Sequence, residues 1–223
     1  TKALQFAAER KLLVNFHGCQ KPSGEFRRYP NEITREGIRG LELNKMNEPI
    51  SGNHNVALVF TRCILNNSDY TPIGFSNPGT TSWAHQLATA YAFTSPLITL
   101  AEHPDTLFLN PRIKPVLSFI KDIPAIWDET IVLDGSSIDE TAILARRKED
   151  IWYLIILNGF NEKKLKVKLD FLEKGLWKMS DVRDEKGIQK SMSINQTEKL
   201  ANQIIEIDLN REGGYVAKFE KIN

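Results

Sequence analysis

The chain has 223 residues, of which 41% are hydrophobic and 26% are charged, a composition typical of folded globular proteins and not of disordered or fibrous ones. Lys and Arg number 29 against 28 Asp and Glu, and this near balance argues against nucleic acid as a partner. The longest apolar runs fall far short of the roughly 20 residues that cross a bilayer, so no membrane span is predicted. The N-terminus has neither a signal-peptide pattern nor an initiator Met, which indicates a processed or cut piece.

Several common site chemistries are absent from the sequence. Cys19 and Cys63 have apolar neighbours and no CxxC spacing, so we expect two small buried side chains and neither a zinc site nor a disulfide framework. No HExxH, GxSxG, GxGxxG or GxxxxGK[ST] motif occurs. The sequence therefore gives no sign of a zinc protease, a serine hydrolase or a nucleotide-phosphate site.

Residues 1–125 have the alternation of apolar runs and helical periods that is typical of an α/β protein. The patterning predicts helices over 4–10, 33–40 and 81–93 and a further helix after Asn110-Pro111. It predicts buried strands over 11–16 and 97–100 and a short extended piece over 41–43. Roughly three strand and helix units result, too few to close a (β/α)₈ barrel, which needs about 250 residues.

Residues 126–223 instead have short strands separated by turn signals such as Asp134-Gly135 and Asn158-Gly159. The predicted strands cover 129–133, 141–146, 151–157, 165–169, 175–181, 203–209 and 214–220. This spacing predicts an antiparallel β-sandwich. We expect two parts, 1–125 and 126–223, that pack directly on each other.

Polar residues after the predicted strands of the first part are the candidates for chemistry, since α/β enzymes place reactive groups at the carboxyl ends of parallel strands. His17 follows the first strand, and Glu36 and Glu42 lie in the next unit. Two nearby carboxylates can act as general acid and base or bind Ca²⁺. From spacing alone, a structural or solvated role for Glu36 and Glu42 is favoured over a catalytic one. For His17, a role as a core histidine and a role in the site are equally favoured. His85 reads as a packing residue of its helix.

Six motifs, found in a fixed order along the chain, make the hypothesis of a reactive site in residues 1–125 more specific. They are Asn15-Phe16-His17-Gly18, Pro22-Ser23-Gly24, Arg28-Tyr29-Pro30-Asn31, Arg35-Glu36-Gly37-Ile38-Arg39-Gly40-Leu41-Glu42, Asp69-Tyr70-Thr71-Pro72, and His85-Gln86-Leu87-Ala88 with Ser95-Pro96-Leu97. With this order and spacing the chain resembles the C-terminal part of glycoside hydrolase family 97, which contains α-glucosidases and α-galactosidases. The resemblance implies that residues 1–125 are the end of a catalytic (β/α)₈ TIM barrel and that residues 126–223 are the family's C-terminal antiparallel β-domain.

The resemblance also implies the roles of individual residues. Glu42 matches the general acid of the family, and Glu36 and Glu42 match positions that bind an active-site Ca²⁺. His17 and Tyr70 are the implied substrate-binding residues. Gly18 matches the retaining subgroup, because inverting members look to carry a Glu directly after this His. The nucleophilic Asp of retaining members would lie before Thr1.

The expected function is therefore that of a retaining α-glycoside hydrolase acting on oligosaccharides, an α-galactosidase by resemblance, completed by an N-terminal part of the same enzyme. Its expected location, periplasmic or secreted, comes from the same resemblance. Two alternatives stay open: an inverting α-glucosidase or another α-glycosidase of the family, such as one acting on an arabinoside, and an inert carbohydrate-binding or structural fragment. For the second alternative, Trp127, Trp152 and Trp177 are candidates to stack on sugars, with Trp152 expected in the core and Trp177 the best placed for a surface role.

Overall fold

The computed structural model describes residues 2–138 and 140–222. Its first part contains six α-helices and two short strands. They are α1 Lys2–Glu9, β1 Val14–Phe16, β2 Glu32–Arg35, α2 Gly52–Phe60, α3 Arg62–Leu65, α4 Trp83–Ala92, α5 Pro104–Leu109 and α6 Leu117–Lys121, with 3₁₀ turns at Glu25–Arg27, Leu41–Met46 and Lys114–Val116. Within the described ranges, no helix has the length and apolar character needed to cross a membrane.

Strands β1 and β2 form a parallel pair, in which Asn15 lies beside Thr34 and Phe16 beside Arg35. A parallel pair places the carboxyl ends of both strands at one edge. The segment around Asp69 contacts the end of β2, where the Asp69 N–H donates to the Arg35 carbonyl at 3.3 Å. This segment therefore lies next to the carboxyl edge of the pair.

Several sequence predictions for this part are wrong. Residues 33–40 form β2 and a loop instead of a helix, since β-branched Ile33 and Thr34 favour a strand and Gly37 has a left-handed φ of 48°. Residues 41–43 begin a 3₁₀ turn, and residues 97–100 form no strand, with Leu97 46% exposed. Strand β1 is only three residues long and partly exposed. Helices α2, α3 and α5 were not predicted.

Helix α4 confirms the prediction over 81–93. Its Ser82 cap accepts a hydrogen bond from the His85 N–H at 3.0 Å. Every residue of α4 is buried, because the helix lies between the first part of the chain and the C-terminal sheet.

The C-terminal part is antiparallel, as predicted. Its strands are β3 Glu129–Val132, β4 Thr141–Lys148, β5 Ile151–Asn158, β6 Lys163–Lys168, β7 Leu176–Glu185, β8 Ile188–Leu200, β9 Ile204–Leu209 and β10 Gly214–Ile222. They form a six-stranded sheet in the order β3-β4-β5-β10-β7-β8 and a two-stranded sheet of β6 and β9. The seven predicted strands are all present. Strand β8 was not predicted, because its mostly polar sequence has no clear alternation.

Two apolar clusters cover the two faces of the larger sheet. One contains Leu154 and Ile156 of β5 with Ile205 and Ile207 of β9, and so joins the two sheets. The other contains Tyr153 and Ile155 with α2 and α4, and so joins the sheet to the helices. Trp152 is 6% exposed and is a core residue, as expected. Trp177, the best placed of the three candidates for a surface role, is only 2% exposed and is also buried. Cys19 and Cys63 are both free and only partly buried.

Polar contacts from the loop between β9 and β10 connect the sheet to the starts of two helices. Buried Glu212 accepts from the Gly52 N–H at 2.8 Å at the start of α2, and its carbonyl accepts from the Ser82 N–H at 3.0 Å before α4. His85 Nδ1 lies 2.9 Å from the Gly213 carbonyl. The first part is therefore fixed in orientation relative to the β-sandwich.

Candidate active site

His17 and Glu36 lie at the same edge of the parallel pair because each directly follows a strand. His17 follows Phe16, the last residue of β1, and Glu36 follows Arg35, the last residue of β2. The Glu36 N–H donates to the Phe16 carbonyl at 2.8 Å, and the Gly18 N–H donates to Glu36 Oε2. The strand pairing itself thus brings these two side chains together.

Glu42 reaches the same edge from the first turn of the 3₁₀ segment Leu41–Met46. The Leu41 N–H donates to the Tyr70 carbonyl at 3.0 Å, which ties this turn to the segment beside β2. The Thr71 hydroxyl donates to Glu42 Oε2. A Cβ atom at Gly40 would overlap the Glu42 carboxylate, so the missing side chain leaves the space that this carboxylate occupies.

The ligand atoms of His17, Glu36 and Glu42 all lie within 4.8 Å of one another. His17 Nε2 is 3.6 Å from Glu36 Oε1 and 3.7 Å from Glu42 Oε1. Each carboxylate uses Oε2 for a protein hydrogen bond and turns Oε1 to this common point, where the described residues supply no donor besides the imidazole. The Glu36 and Glu42 side chains are 13% and 20% exposed, so both carboxylates are largely shielded from water.

Asp69 is the buried partner of His17. Its Oδ2 lies 3.0 Å from His17 Nδ1 and accepts from Asn15 Nδ2 at 2.8 Å, while its Oδ1 is buried without a partner in the described part of the chain. Burial opposes the positive charge of His17, but the hydrogen bond to Asp69 and the charges of Glu36, Asp69 and Glu42 together raise the His17 pKa. A carboxylate only accepts, so Nδ1 carries a proton and Nε2 faces the two glutamates.

Two buried arginines hold the loops that carry the site. The Arg62 guanidinium is bonded to carbonyls in both loops that flank the site, those of Arg35, Glu36 and Gly37 after β2 and those of Asn66 and Asn67 before Asp69. Arg35 makes a two-point salt bridge with Glu32, with N–O distances of 2.7 and 3.0 Å. These contacts fix the backbone around Glu36 without placing a cation next to its carboxylate.

Tyr70 is not at this edge. It is 1% exposed, its hydroxyl donates to Asn55 Oδ1 at 2.6 Å, and its ring packs edge-on against Phe93. Burial raises the Tyr70 pKa far above its usual value. The structure therefore does not support the expected direct contact between Tyr70 and a substrate, and gives this side chain a role in the core.

The sequence did not assign roles to Asp69 and Thr71, although both belong to one of the six motifs, Asp69-Tyr70-Thr71-Pro72. The available signal was local: a carboxylate and a hydroxyl in a polar segment between apolar ones. Their partners His17 and Glu42 lie 52 and 29 positions away along the chain, so no sequence spacing links them.

The donor set fits Ca²⁺ in part. Two carboxylate oxygens, Glu36 Oε1 and Glu42 Oε1, point to one place, and hard cations prefer oxygen ligands. Imidazole nitrogen is typical of softer metals, so His17 fits as a hydrogen-bonding neighbour better than as a Ca²⁺ ligand. Because Ca²⁺ takes about six to eight oxygens, the remaining ligands must come from water, substrate or other parts of the protein.

Comparisons with known proteins agree on one family. The family described as "Glycosyl-hydrolase 97 C-terminal, oligomerisation" matches residues 126–220, and the one described as "Glycoside hydrolase 97" matches residues 1–38. A retaining α-galactosidase of Bacteroides thetaiotaomicron is 32% identical over an alignment of 186 residues, and the match covers 77% of this chain and 28% of that protein. A probable retaining α-galactosidase of Streptomyces bingchenggensis is 33% identical over 154 residues, 68% of this chain and 23% of that protein.

A solved structure supports the same conclusion. A glycoside hydrolase family 97 enzyme from Pseudoalteromonas sp. strain K8, in complex with panose, matches with a TM-score of 0.88 and 27% identity over 99% of this chain and 36% of that one. This chain belongs to glycoside hydrolase family 97 and corresponds to its C-terminal part. It spans 28% of the length of the Bacteroides relative, so most of that protein lies outside the matched segment.

Proposed function

We propose that this chain carries the acid/base part of the active site of a retaining α-galactosidase, with Glu42 as general acid/base. The observation that carries the proposal is the convergence of Glu36 Oε1 and Glu42 Oε1 beside His17 Nε2. The names of two relatives, 32% and 33% identical, support the sugar and the retaining stereochemistry.

The proposed architecture is that residues 1–125 complete a (β/α)₈ barrel and residues 126–223 form the β-domain that follows it. The parallel pair β1 and β2, with its polar groups at the carboxyl edge, supports the first assignment. A nucleophilic Asp and further strands then come from a part of the enzyme N-terminal to this chain. The unpartnered, buried Asp69 Oδ1 at this edge fits such a missing neighbour.

A retaining glycosidase acts by double displacement, and in both of its steps Glu42 transfers the proton. In the first step, Glu42 gives its proton to the glycosidic oxygen while the upstream Asp attacks C1, so the C1–O bond breaks and a glycosyl-enzyme forms. In the second step, Glu42 takes a proton from the water that attacks C1 and releases the sugar. The Thr71 hydroxyl donates to Glu42 Oε2 and so fixes the orientation of this carboxyl group in the site.

Glu36 and Glu42 are the proposed Ca²⁺ ligands of this chain. Bound there, Ca²⁺ supplies a positive field and a fixed point for sugar hydroxyls. His17, held by Asp69, presents Nε2 to the same space and is the proposed sugar-hydroxyl contact.

Gly18 supports retention over inversion. An inverting enzyme needs a base about 6.5–9.5 Å from its acid to hold the attacking water. Residue 18 has no side chain, and a Cβ there would meet no atom within 4 Å, so space for an inverting base is present but no carboxylate fills it. Following the anomer first released, by NMR, separates the mechanisms: the α-anomer is expected, and the β-anomer would overturn the proposal.

The proposed location of the enzyme is the periplasm or the outside of the cell, and this proposal rests on the resemblance to the family. The alternative of an inert carbohydrate-binding fragment gains nothing from Trp152 and Trp177, because both indoles are buried.

The direct test is Glu42→Gln in the full-length enzyme that contains this chain. We expect about a 100- to 10,000-fold loss of kcat/KM on an alkyl α-galactoside and a much smaller loss on a dinitrophenyl α-galactoside, whose leaving group needs no proton. Glu48→Gln is the matched control, since Glu48 is exposed and pairs with Arg39. Equal activity of Glu42→Gln and wild type on the alkyl substrate would overturn the assignment.

A further inference from the structure

The segment after Asp69 contains a strained turn. Thr71 and Ile73 have left-handed φ values of 53° and 62°, with Pro72 between them. A residue with a branched Cβ rarely adopts this conformation, because the Cβ atom comes too close to the backbone carbonyl oxygen. Strain of this kind persists only where the surrounding structure enforces it, and it is concentrated at functional sites. Two such residues within three positions therefore mark this turn as a candidate for a functional role.

Core packing and backbone hydrogen bonds enforce the turn. Tyr70 and Ile73 are 1% and 0% exposed, so both side chains lie in the core. The Tyr70 carbonyl accepts from the Leu41 N–H at 3.0 Å. The Pro72 carbonyl accepts from the Ala101 N–H at 3.0 Å. The backbone is thus held on both sides of the first strained residue, which fixes the direction in which its side chain points.

The turn places the Thr71 hydroxyl against Glu42. Thr71 is 7% exposed, and its hydroxyl donates to Glu42 Oε2 and lies 2.7 Å from the Tyr70 carbonyl. Glycine and asparagine accept a left-handed backbone at lower cost, but neither has a hydroxyl group. Threonine has one, and its β-methyl group restricts χ1 and so limits the directions of the hydroxyl. The hydroxyl is therefore the feature that explains a threonine at this strained position.

A contact at one oxygen restricts rotation of the whole Glu42 carboxyl group. Glu42 lies in the first turn of the 3₁₀ segment Leu41–Met46, which has no side-chain cap, and its side chain is 20% exposed. A displacement of about 1 Å in a reacting group can cost about 100-fold in rate. A hydrogen bond from a rigidly held hydroxyl reduces such displacements.

We propose that Thr71 is a positioning residue, whose hydroxyl is held on Glu42 by the strained turn and keeps this carboxyl group aligned for proton transfer. The inference rests on the proposed function of Glu42 as general acid/base. Thr71 acts through Glu42, so loss of its hydroxyl slows the steps in which Glu42 transfers a proton. The effect is largest for substrates whose leaving group must be protonated.

The first test compares Thr71→Val, which keeps the shape and loses the hydroxyl, with Thr71→Ser, which keeps the hydroxyl. Both are made in the full-length enzyme that contains this chain. We expect Thr71→Val to lower kcat/KM about tenfold or more on an alkyl α-galactoside, and less than about threefold on a dinitrophenyl α-galactoside. Thr71→Ser should stay within about threefold of wild type on both substrates.

Thr81→Val is the matched control for Thr71→Val. Thr81 is also buried, and its hydroxyl donates to the Pro78 carbonyl at 3.0 Å, away from Glu42. This variant should leave the ratio of the two activities as it is in wild type. Equal losses on the two substrates in Thr71→Val, or wild-type activity of Thr71→Val on the alkyl substrate, would overturn the inference.

The second test combines Thr71→Val with Glu42→Gln. Because Thr71 acts through Glu42, Thr71→Val should cause no further loss on the alkyl substrate when Glu42 is already replaced. A further loss as large as in the single variant would show that Thr71 acts independently of Glu42, and would overturn the inference. The proposed function fails if Glu42→Gln itself keeps wild-type activity. A loss in Glu42→Gln with none in Thr71→Val overturns the role of Thr71 alone.

Discussion

The imidazole of His17 is held by the buried carboxylate of Asp69, with Nδ1 and Oδ2 3.0 Å apart. A carboxylate that accepts a hydrogen bond from one ring nitrogen fixes both the tautomer and the ring orientation of a histidine. The consequence is that Nε2 faces Glu36 and Glu42, and the free oxygens of both carboxylates lie within 3.7 Å of it. The geometry of the site therefore depends on Asp69 as well as on the residues that face the ligand.

Replacing Asp69 with Asn should lower the pKa of His17. Burial lowers the His17 pKa, whereas the hydrogen bond to Asp69 and the Asp69 charge raise it. Removal of the charge weakens the effects that raise the pKa, and the effect of burial remains. We expect the His17 pKa to fall, since an opposite charge close to the imidazole favours its protonated form. NMR titration of the His17 ring protons in chelator-treated buffer measures it. A pKa equal to that of the wild type would show that Asp69 does not act on His17 electrostatically.

Calcium should stabilise the chain through Glu36 and Glu42. A ligand that binds only the folded state stabilises it by about 2.7 kcal/mol when its concentration is about 100 times its Kd. We expect the Tm to rise in millimolar Ca²⁺, and the rise to disappear in Glu36→Gln and in Glu42→Gln.

Glu48→Gln is the control for the calcium experiment, because it removes a neighbouring exposed carboxylate and should keep the calcium response. A response that persists in both site variants would place the ion elsewhere. The measurement does not require catalysis, so it can be made on the full-length enzyme that contains this chain, without substrate.

Gly40→Ala should disturb the site with little loss of stability. A Cβ at this position would overlap the end of the Glu42 side chain, which can move away, and the backbone of Gly40 has an ordinary extended conformation with φ of −86°. We expect the calcium response of the Tm to weaken while the free energy of unfolding without calcium changes by less than about 1 kcal/mol.

Gly37→Ala provides the contrast to Gly40→Ala. Gly37 has a φ of 48°, and a Cβ there would overlap the backbone of Lys21, which cannot move as freely as a side-chain end. This variant should lose stability by more than about 1 kcal/mol. Equal loss of stability in both variants would contradict the proposed role of Gly40.

Asp184 should make stability fall as the pH rises toward neutrality. Burial raises its pKa to about 6, against hydrogen bonds from Ser82 and the backbone of Gly214 and Asn210 that lower it. Between about pH 4 and pH 6 the folded state holds a proton that the unfolded state has lost, so stability decreases with increasing pH. Asp184→Asn should remove this effect, and its free energy of unfolding should gain about 2–3 kcal/mol relative to wild type between about pH 4 and pH 7.

His85 makes an opposite contribution to the pH dependence of stability. The effect of Asp184 must therefore be measured as the difference in the free energy of unfolding between wild type and Asp184→Asn. Burial lowers the His85 pKa to about 4, so the unfolded state binds the extra proton and stability rises with pH over nearly the same interval. Denaturant unfolding of wild type and Asp184→Asn at several pH values separates the two. Asp105→Asn, an exposed charge of the same type, is the control. If the difference in the free energy of unfolding between wild type and Asp184→Asn does not vary with pH, the assignment of this pH dependence to Asp184 is contradicted.

The sequence alone determined the features that depend on local pattern. Alternating apolar residues and turn dipeptides located seven strands of the β-sandwich, and the helical period located α4. The ordered motifs around His17, Glu36 and Glu42 gave the family. These signals are local because β pleating and helix periodicity repeat over a few residues.

Only the tertiary structure decided which of those residues meet. It made β2 from a segment predicted as helix, because pairing with β1 provides hydrogen bonds that a sequence window does not contain. It buried Tyr70 against Phe93 and gave His17 and Glu42 the partners Asp69 and Thr71. Contacts between residues dozens of positions apart in sequence depend on how strands and loops pack. The sequence therefore identified the two glutamates as candidates, and the fold determined their distances and partners.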